Sequence, residues 1–156
     1  MKTLIVYCSD YKKNTEKIAK VFSEKIGSVL ININDIKDEI NINNYDLIGF
    51  GSGVYKESMS PKMYRLVENL NLKGKNVFVF STNGVGLKYY NNSLIRLLNA
   101  KGAINKGSFA CKGSFVAQDF SDNKIFDFIG KLSKGHPNEK DYKMAKKFID
   151  KVIETI

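Results

Sequence analysis

Thr3-Leu-Ile-Val-Tyr-Cys-Ser-Asp-Tyr-Lys-Lys-Asn-Thr-Glu16 decides how the rest of the chain is read. Thr3 to Tyr7 is a short apolar, β-branched run with no polar alternation. Such runs suit a strand buried on both faces of a parallel sheet. Cys8 to Thr15 is small, hydroxylated, amidic and basic. It turns the chain into a helix beginning near Asn14. The junction is thus strand, loop, helix, with the loop at the helix N-terminus.

The same alternation continues along the chain. Asp46-Leu-Ile-Gly-Phe-Gly51 and Asn76-Val-Phe-Val-Phe-Ser81 read as further buried strands. Ser28-Val-Leu-Ile-Asn-Ile33 alternates in part, as an edge strand does. Ala103 to Cys111 is interrupted by Gly107. The spacing predicts a first helix over Asn14 to Ile26, with Ile18, Phe22 and Ile26 on one face. Ser60 caps a second and Pro61 suits its first position. Met63, Leu66, Val67 and Leu70 form its apolar stripe. A third runs from about Leu87 to Lys101, with Leu94, Leu97 and Leu98 inward and Gly102 as its stop. A short helix capped by Ser121 carries Ile125, Phe128, Ile129 and Leu132. The last follows Pro137 and Asn138, with Tyr142, Ala145, Phe148, Ile149, Val152 and Ile156 as its buried stripe. Strands alternating with helices predict an α/β, doubly wound sheet in one domain over residues 1–156.

Composition narrows the function. Lysine and arginine number 25 against 16 acidic residues, for a net charge of +9, which favours acidic partners. Arg65 and Arg96 are the arginines, so a guanidinium reader of nucleic acid is poorly supported and no specific nucleic-acid partner is expected. Cys8 and Cys111 show no metal-site spacing, and with His136 the lone histidine a zinc or iron site is short of ligands. No run approaches the roughly 20 apolar residues of a membrane span. The N-terminus lacks the h-region of a signal peptide. The expectation is a cytoplasmic protein with no metal and no integral membrane segment.

In open α/β sheets, ligands bind beyond the carboxyl ends of the strands. The loops there read Cys8-Ser-Asp-Tyr-Lys-Lys-Asn-Thr15, Gly51-Ser-Gly-Val-Tyr55 and Ser81-Thr-Asn-Gly-Val-Gly86. The first carries the most chemistry. A helix N-terminus offers free N–H groups and the positive end of the macrodipole, which suit a phosphate. Ser9, Asn14 and Thr15 add side-chain donors, and Lys12 and Lys13 add two ammonium groups. Read by itself, the loop is either a phosphate cradle or an ordinary helix cap with solvated lysines.

Taken together, these loops resemble the flavodoxin family over nearly the whole chain. The resemblance rests on Ser9-Asp-Tyr-Lys-Lys-Asn-Thr-Glu16, Gly51-Ser-Gly-Val-Tyr55, Ser81-Thr-Asn-Gly84 and Lys134-Gly-His-Pro-Asn-Glu139 ahead of the last helix. It implies a short-chain, five-stranded parallel sheet of order 2-1-3-4-5 with helices on both faces, and FMN at the switch point, the arrangement the family exemplifies. Carried over, Ser9, Tyr11, Lys12, Lys13, Asn14 and Thr15 surround the FMN phosphate. Gly53, Val54 and Tyr55 border one side of the flavin ring. Ser81, Thr82, Asn83, Gly84 and Gly86 border the other. The implied strand order sets Cys8 and Cys111 three strand spacings apart, roughly 14 Å, so no disulfide is expected.

Two departures from the family stand out. Lys13 occupies the position usually held by Gly before Asn-Thr, which is strained if that residue needs a positive φ. The charge is basic where electron-shuttling relatives are acidic. The resemblance implies an FMN-binding redox protein carrying electrons between a reductase and an acceptor, with an acidic redox partner protein. Two alternatives remain open at this point: a flavin-dependent oxidoreductase of quinone-type substrates, and a flavodoxin-like module that has lost FMN. No side chain is singled out as catalytic.

Overall fold

The computed structural model describes residues 1–37 and 39–156. β1 (Thr3–Cys8) is central, with β2 (Val29–Asn32) on one side and β3 (Leu47–Tyr55) on the other. β5 (Asn76–Asn83) and β6 (Ile104–Lys112) continue the parallel sheet in the order β2-β1-β3-β5-β6. Counting only the long strands, this is the expected 2-1-3-4-5 order. The addition is β4 (Ser58–Met59), a short antiparallel partner of the end of β3.

The strands are apolar on both faces because helices cover both. Leu4 and Val6 of β1 join Ile48, Phe50, Val77 and Val79 on one face. There they meet Met63 and Val67 of α2 (Pro61–Asn69) and Leu94 and Leu98 of α3 (Asn92–Ala100). Ile5 and Tyr7 point the other way, to Ile18 and Phe22 of α1 (Asn14–Ile26) and Ala145, Ile149 and Val152 of α5 (Glu139–Ile153). Phe78 and Phe80 lie on this second face. They cross the sheet to Gly49 and Gly51, their register partners on β3. A Cβ on Gly49 would overlap the Phe78 ring, and one on Gly51 the Phe80 ring. These glycines make room for aromatics.

Sequence-predicted boundaries moved in three places. The third helix begins with a 3-10 turn over Lys88–Asn91, and its α-helical part starts at Asn92. The short fourth helix, α4 (Lys124–Ser133), is capped by Asn123, whose side chain accepts the Ile125 N–H, and not by Ser121. Ile156 is exposed, because α5 ends at Ile153. Before α5, Asn138 and Asp141 form a capping box. His136 is drawn into it at 2.6 Å from the buried Asp141 carboxylate, local to the helix start.

Candidate functional site

Four segments meet at the carboxyl ends of the strands and line a cleft of about 280 Å3. The first is the loop between β1 and α1. Lys12 and Lys13 both adopt left-handed backbone there, at φ 49° and 54°. Lys13 precedes α1 and supplies no side-chain cap. Ser9 Oγ accepts only the Glu16 N–H, at 3.3 Å. The first-turn amides of Asn14 and Thr15 are therefore not claimed by a capping side chain from residue 13, and Glu16 is the acidic residue of the first turn.

Asn14 is buried and lines the cleft. Its Nδ2 donates to the Ser114 carbonyl at 2.9 Å, while its Oδ1 is buried with no partner. A buried, unpaired carbonyl oxygen costs about 1–3 kcal/mol. Thr15 turns inward and shares a 2.8 Å hydrogen bond with Thr82 of β5. Helix α1 is thus fastened to the sheet through two hydroxyls.

The second segment is the end of β3. Gly53, Val54 and Tyr55 all line the cleft. Lys56 and Glu57 connect β3 to β4, both at positive φ (47° and 65°). That is the geometry of a two-residue type I′ hairpin turn, here built without glycine. The Tyr55 ring folds back over Gly53, so that a Cβ there would lie 3.0 Å from the Tyr55 hydroxyl. Burial, and then the nearby Asp10 carboxylate, push the Tyr55 phenol up to about 12.

The third segment is the end of β5. Thr82, Asn83 and Gly84 line the cleft. Asn83 Oδ1 accepts the Val85 and Leu87 N–H groups and its Nδ2 donates to the Leu87 carbonyl. It shapes the loop from its own side chain. Ser81 and Gly86 do not line the cleft. Ser81 is fully buried within β5, and Gly86, at φ 72°, turns against the backbone of Lys112.

The sequence reading missed a fourth wall, the chain that follows β6. Gly113, Ser114, Phe115, Phe120, Phe126 and Ile129 all line the cleft. Tyr11 holds this segment. Its hydroxyl donates to Asp119 at 2.6 Å and accepts the Val116 N–H at 3.1 Å. Phe120 meets the Tyr11 ring edge-on at 5.2 Å and lies nearly parallel to Tyr55 at 6.4 Å. The clue in the sequence was the run of phenylalanines at 115, 120, 126 and 128. Cys111 ends the strand leading to this wall. Burial pushes its thiol up, and both it and Cys8 are buried free thiols.

A profile of the flavodoxin domain matches residues 4–140. The chain belongs to the flavodoxin-domain family. It is 37% identical over 156 residues to an uncharacterised protein of Methanocaldococcus jannaschii, with 99% of each chain covered. Among solved structures it is similar to a flavodoxin from the domain Archaea at a TM-score of 0.70 and 17% identity, covering 99% of this chain and 98% of that one. A flavoprotein of Lactobacillus acidophilus in complex with FMN gives a TM-score of 0.57 at 23% identity, over 69% of this chain and 91% of that one. At these identities the structural likenesses speak for the fold. No helix among the described residues is long and apolar enough to cross a membrane.

Within this flavodoxin frame, Lys13 departs from glycine at a position that does take positive φ. A left-handed non-glycine residue costs about 1–2 kcal/mol, and a cation at a helix N-terminus is also unfavourable. Lys13→Gly should therefore stabilise the cofactor-free protein by about 1 kcal/mol, part of the gain being lost to the greater freedom of glycine in the unfolded chain. Urea denaturation would read this directly. An unchanged or lower midpoint would show that the loop holds lysine without strain.

Proposed function

We propose that the protein binds FMN in this cleft and carries electrons between a reductase and an acidic acceptor protein. The observation that carries the reading is Asn14. It sits at the head of a helix whose N-cap residue, Lys13, makes no side-chain bond, buried at the cleft wall, with an unpaired acceptor oxygen. A phosphorylated polyol is a ligand that meets both needs. Its phosphate suits the first-turn amides with Lys12 and Lys13, and its hydroxyls donate to Asn14 Oδ1. The glycines at 53 and 84 admit a flat ring between the ends of β3 and β5, and Tyr55 offers a stacking surface.

Bound flavin supplies one- and two-electron chemistry. The chain supplies the rest. Ser9 and Thr15 hold the loop, the hairpin at Lys56 and Glu57 sets Tyr55 over Gly53, and the post-β6 wall keeps water from the inner cleft. With a net charge of +9, encounter is steered toward acidic partners.

Titrating the purified chain into FMN and following flavin fluorescence tests the reading. Stacking and burial should quench the emission at micromolar protein or below. Persistent free-flavin fluorescence would set the family member apart as one that has lost the cofactor.

A further inference from the structure

Between Glu68 and Asp119 the chain carries no aspartate or glutamate over fifty residues. Seven of the 25 cations stand in that tract and all 16 acids stand outside it, so the rest of the chain is close to balanced. The tract builds β5, α3 and β6, one flank of the sheet. Among the described residues none of its cations enters an ion pair. Lys75, Lys101 and Lys106 donate to backbone carbonyls, which leaves their charge uncancelled. The net charge of the molecule is therefore concentrated on this flank.

The outer surface of the flank has a definite make-up. Lys88, Tyr89, Asn92, Ser93, Arg96 and Asn99, on the 3-10 turn and α3, are all exposed. Val85 and Leu87 lead into them and are exposed as well, and Tyr89 is 74% exposed. Val85 and Tyr90 also line the cleft, so this surface begins at the cleft mouth. The carboxylates that border the tract in sequence are Glu68, in the last turn of α2, and Asp119, after β6. The exposed stripe of α4, Ile125, Phe128 and Leu132, is different in kind. Its segment sets Asp119, Asp122 and Asp127 against Lys124, Lys131 and Lys134 and selects no sign of charge.

We propose that an acidic protein docks on α3 and the loop after β5, beside the mouth of the cleft. This deepens the electron-carrier reading and rests on it, since a partner seated there stands where electrons enter or leave. Charge complementarity argues the occupant: an acid-free surface attracts carboxylates and offers them no repulsion. Arginine and tyrosine are the residue types enriched where proteins meet, and Arg96 and Tyr89 stand on one element and the turn that leads into it. The Arg96 guanidinium suits forked contact with a carboxylate. A second copy of the chain is a poor occupant, because each copy carries +9. Duplex DNA fits less well, because neutral Asn92, Ser93 and Asn99 separate the cations of α3 and leave no basic run for successive phosphates.

The probe is fluorescein-labelled poly-L-glutamate, followed by anisotropy at low salt with the full chain. The double variant Lys88→Glu, Arg96→Glu should bind it about tenfold more weakly. The control Lys143→Glu, Lys147→Glu makes the same change of net charge on α5 and should lose about twofold at most. All four side chains are exposed, so both melting temperatures should stay near that of the parent. Lys88 and Arg96 do not line the cleft, so FMN titrations of K88E/R96E should match the parent. Equal losses in the two double variants would overturn the proposal, leaving only the overall charge at work. A variant K88E/R96E that loses duplex DNA and keeps poly-L-glutamate would also overturn it, and would hand the face to nucleic acid. A parent that binds no FMN but shows the tenfold difference would keep the docking face and overturn the electron-carrier reading.

Discussion

On the proposed function, FMN should bind this chain about a hundredfold more tightly than riboflavin, because only FMN carries a phosphate for the head of α1. A hydrogen bond to a charged group contributes about 1.5–3 kcal/mol. Two such bonds at the head of α1 amount to about 3 kcal/mol, which is roughly two decades of affinity. Ser9 is committed to the Glu16 amide and Thr15 to Thr82, so those side chains steady the loop. The amides of Asn14 and Thr15, with the lysines at 12 and 13, carry the discrimination. The lysine contribution is screened by salt, so the FMN-to-riboflavin ratio should narrow as ionic strength rises without disappearing. Parallel fluorescence titrations with the two flavins at low and high salt measure it. Equal affinities would mean that the loop after β1 does not hold a phosphate.

Phe22→Ala should cost about 3–5 kcal/mol, the range for truncating a buried phenylalanine. Phe22 is fully buried on the inner face of α1. It meets Phe78, Phe80 and Phe109 edge-to-face, at 5.6, 5.1 and 5.8 Å, and tilts on Phe148 at 5.9 Å. Such pairs add about 0.5–1.5 kcal/mol each beyond burial. The surrounding rings are held by the sheet and by α5, so they cannot close over the void. Against a typical stability of about 5–15 kcal/mol, that loss removes a fifth or more of the margin. Urea denaturation gives the stability change. A cost under about 1 kcal/mol would show that the cluster repacks freely, contrary to the close packing of protein interiors.

Most of the architecture was legible because burial on both faces leaves a plain mark. The unbroken apolar runs at Leu4, Ile48 and Val77 require helices above and below the sheet. Pro61 and Ser60 fixed the start of α2 for a local reason, the cap geometry itself. The three loops at the carboxyl ends were found for the same kind of reason: Gly, Ser, Thr and Asn cluster where the chain must turn and bind. What was hidden depended on contacts between distant residues. Nothing near Ser81 says that β5 runs on to Asn83 and buries it. The fourth wall was hidden because aromatic residues announce burial without saying against what. The stripe of α4 is a related case, since helical spacing reports an apolar face and not its cover. Lys13 was the reverse case. The sequence marked it as odd, and the positive φ gives the oddness a physical basis.

The fastenings around the cleft also bear on when the site can exist. Tyr11 reaches Asp119 across 108 positions of the chain, Asn14 reaches Ser114 across 100, and Thr15 reaches Thr82 across 67. None of these contacts is local, and each closes a long loop whose ordering cost must be met before the contact forms. During synthesis the side of the cleft built by β1 and α1 emerges first and its aromatic wall last. The emerging chain therefore has a strand and a helix long before it has a pocket. Occupancy of the cleft is a report on completed folding, available only once the first and last thirds of the chain have met.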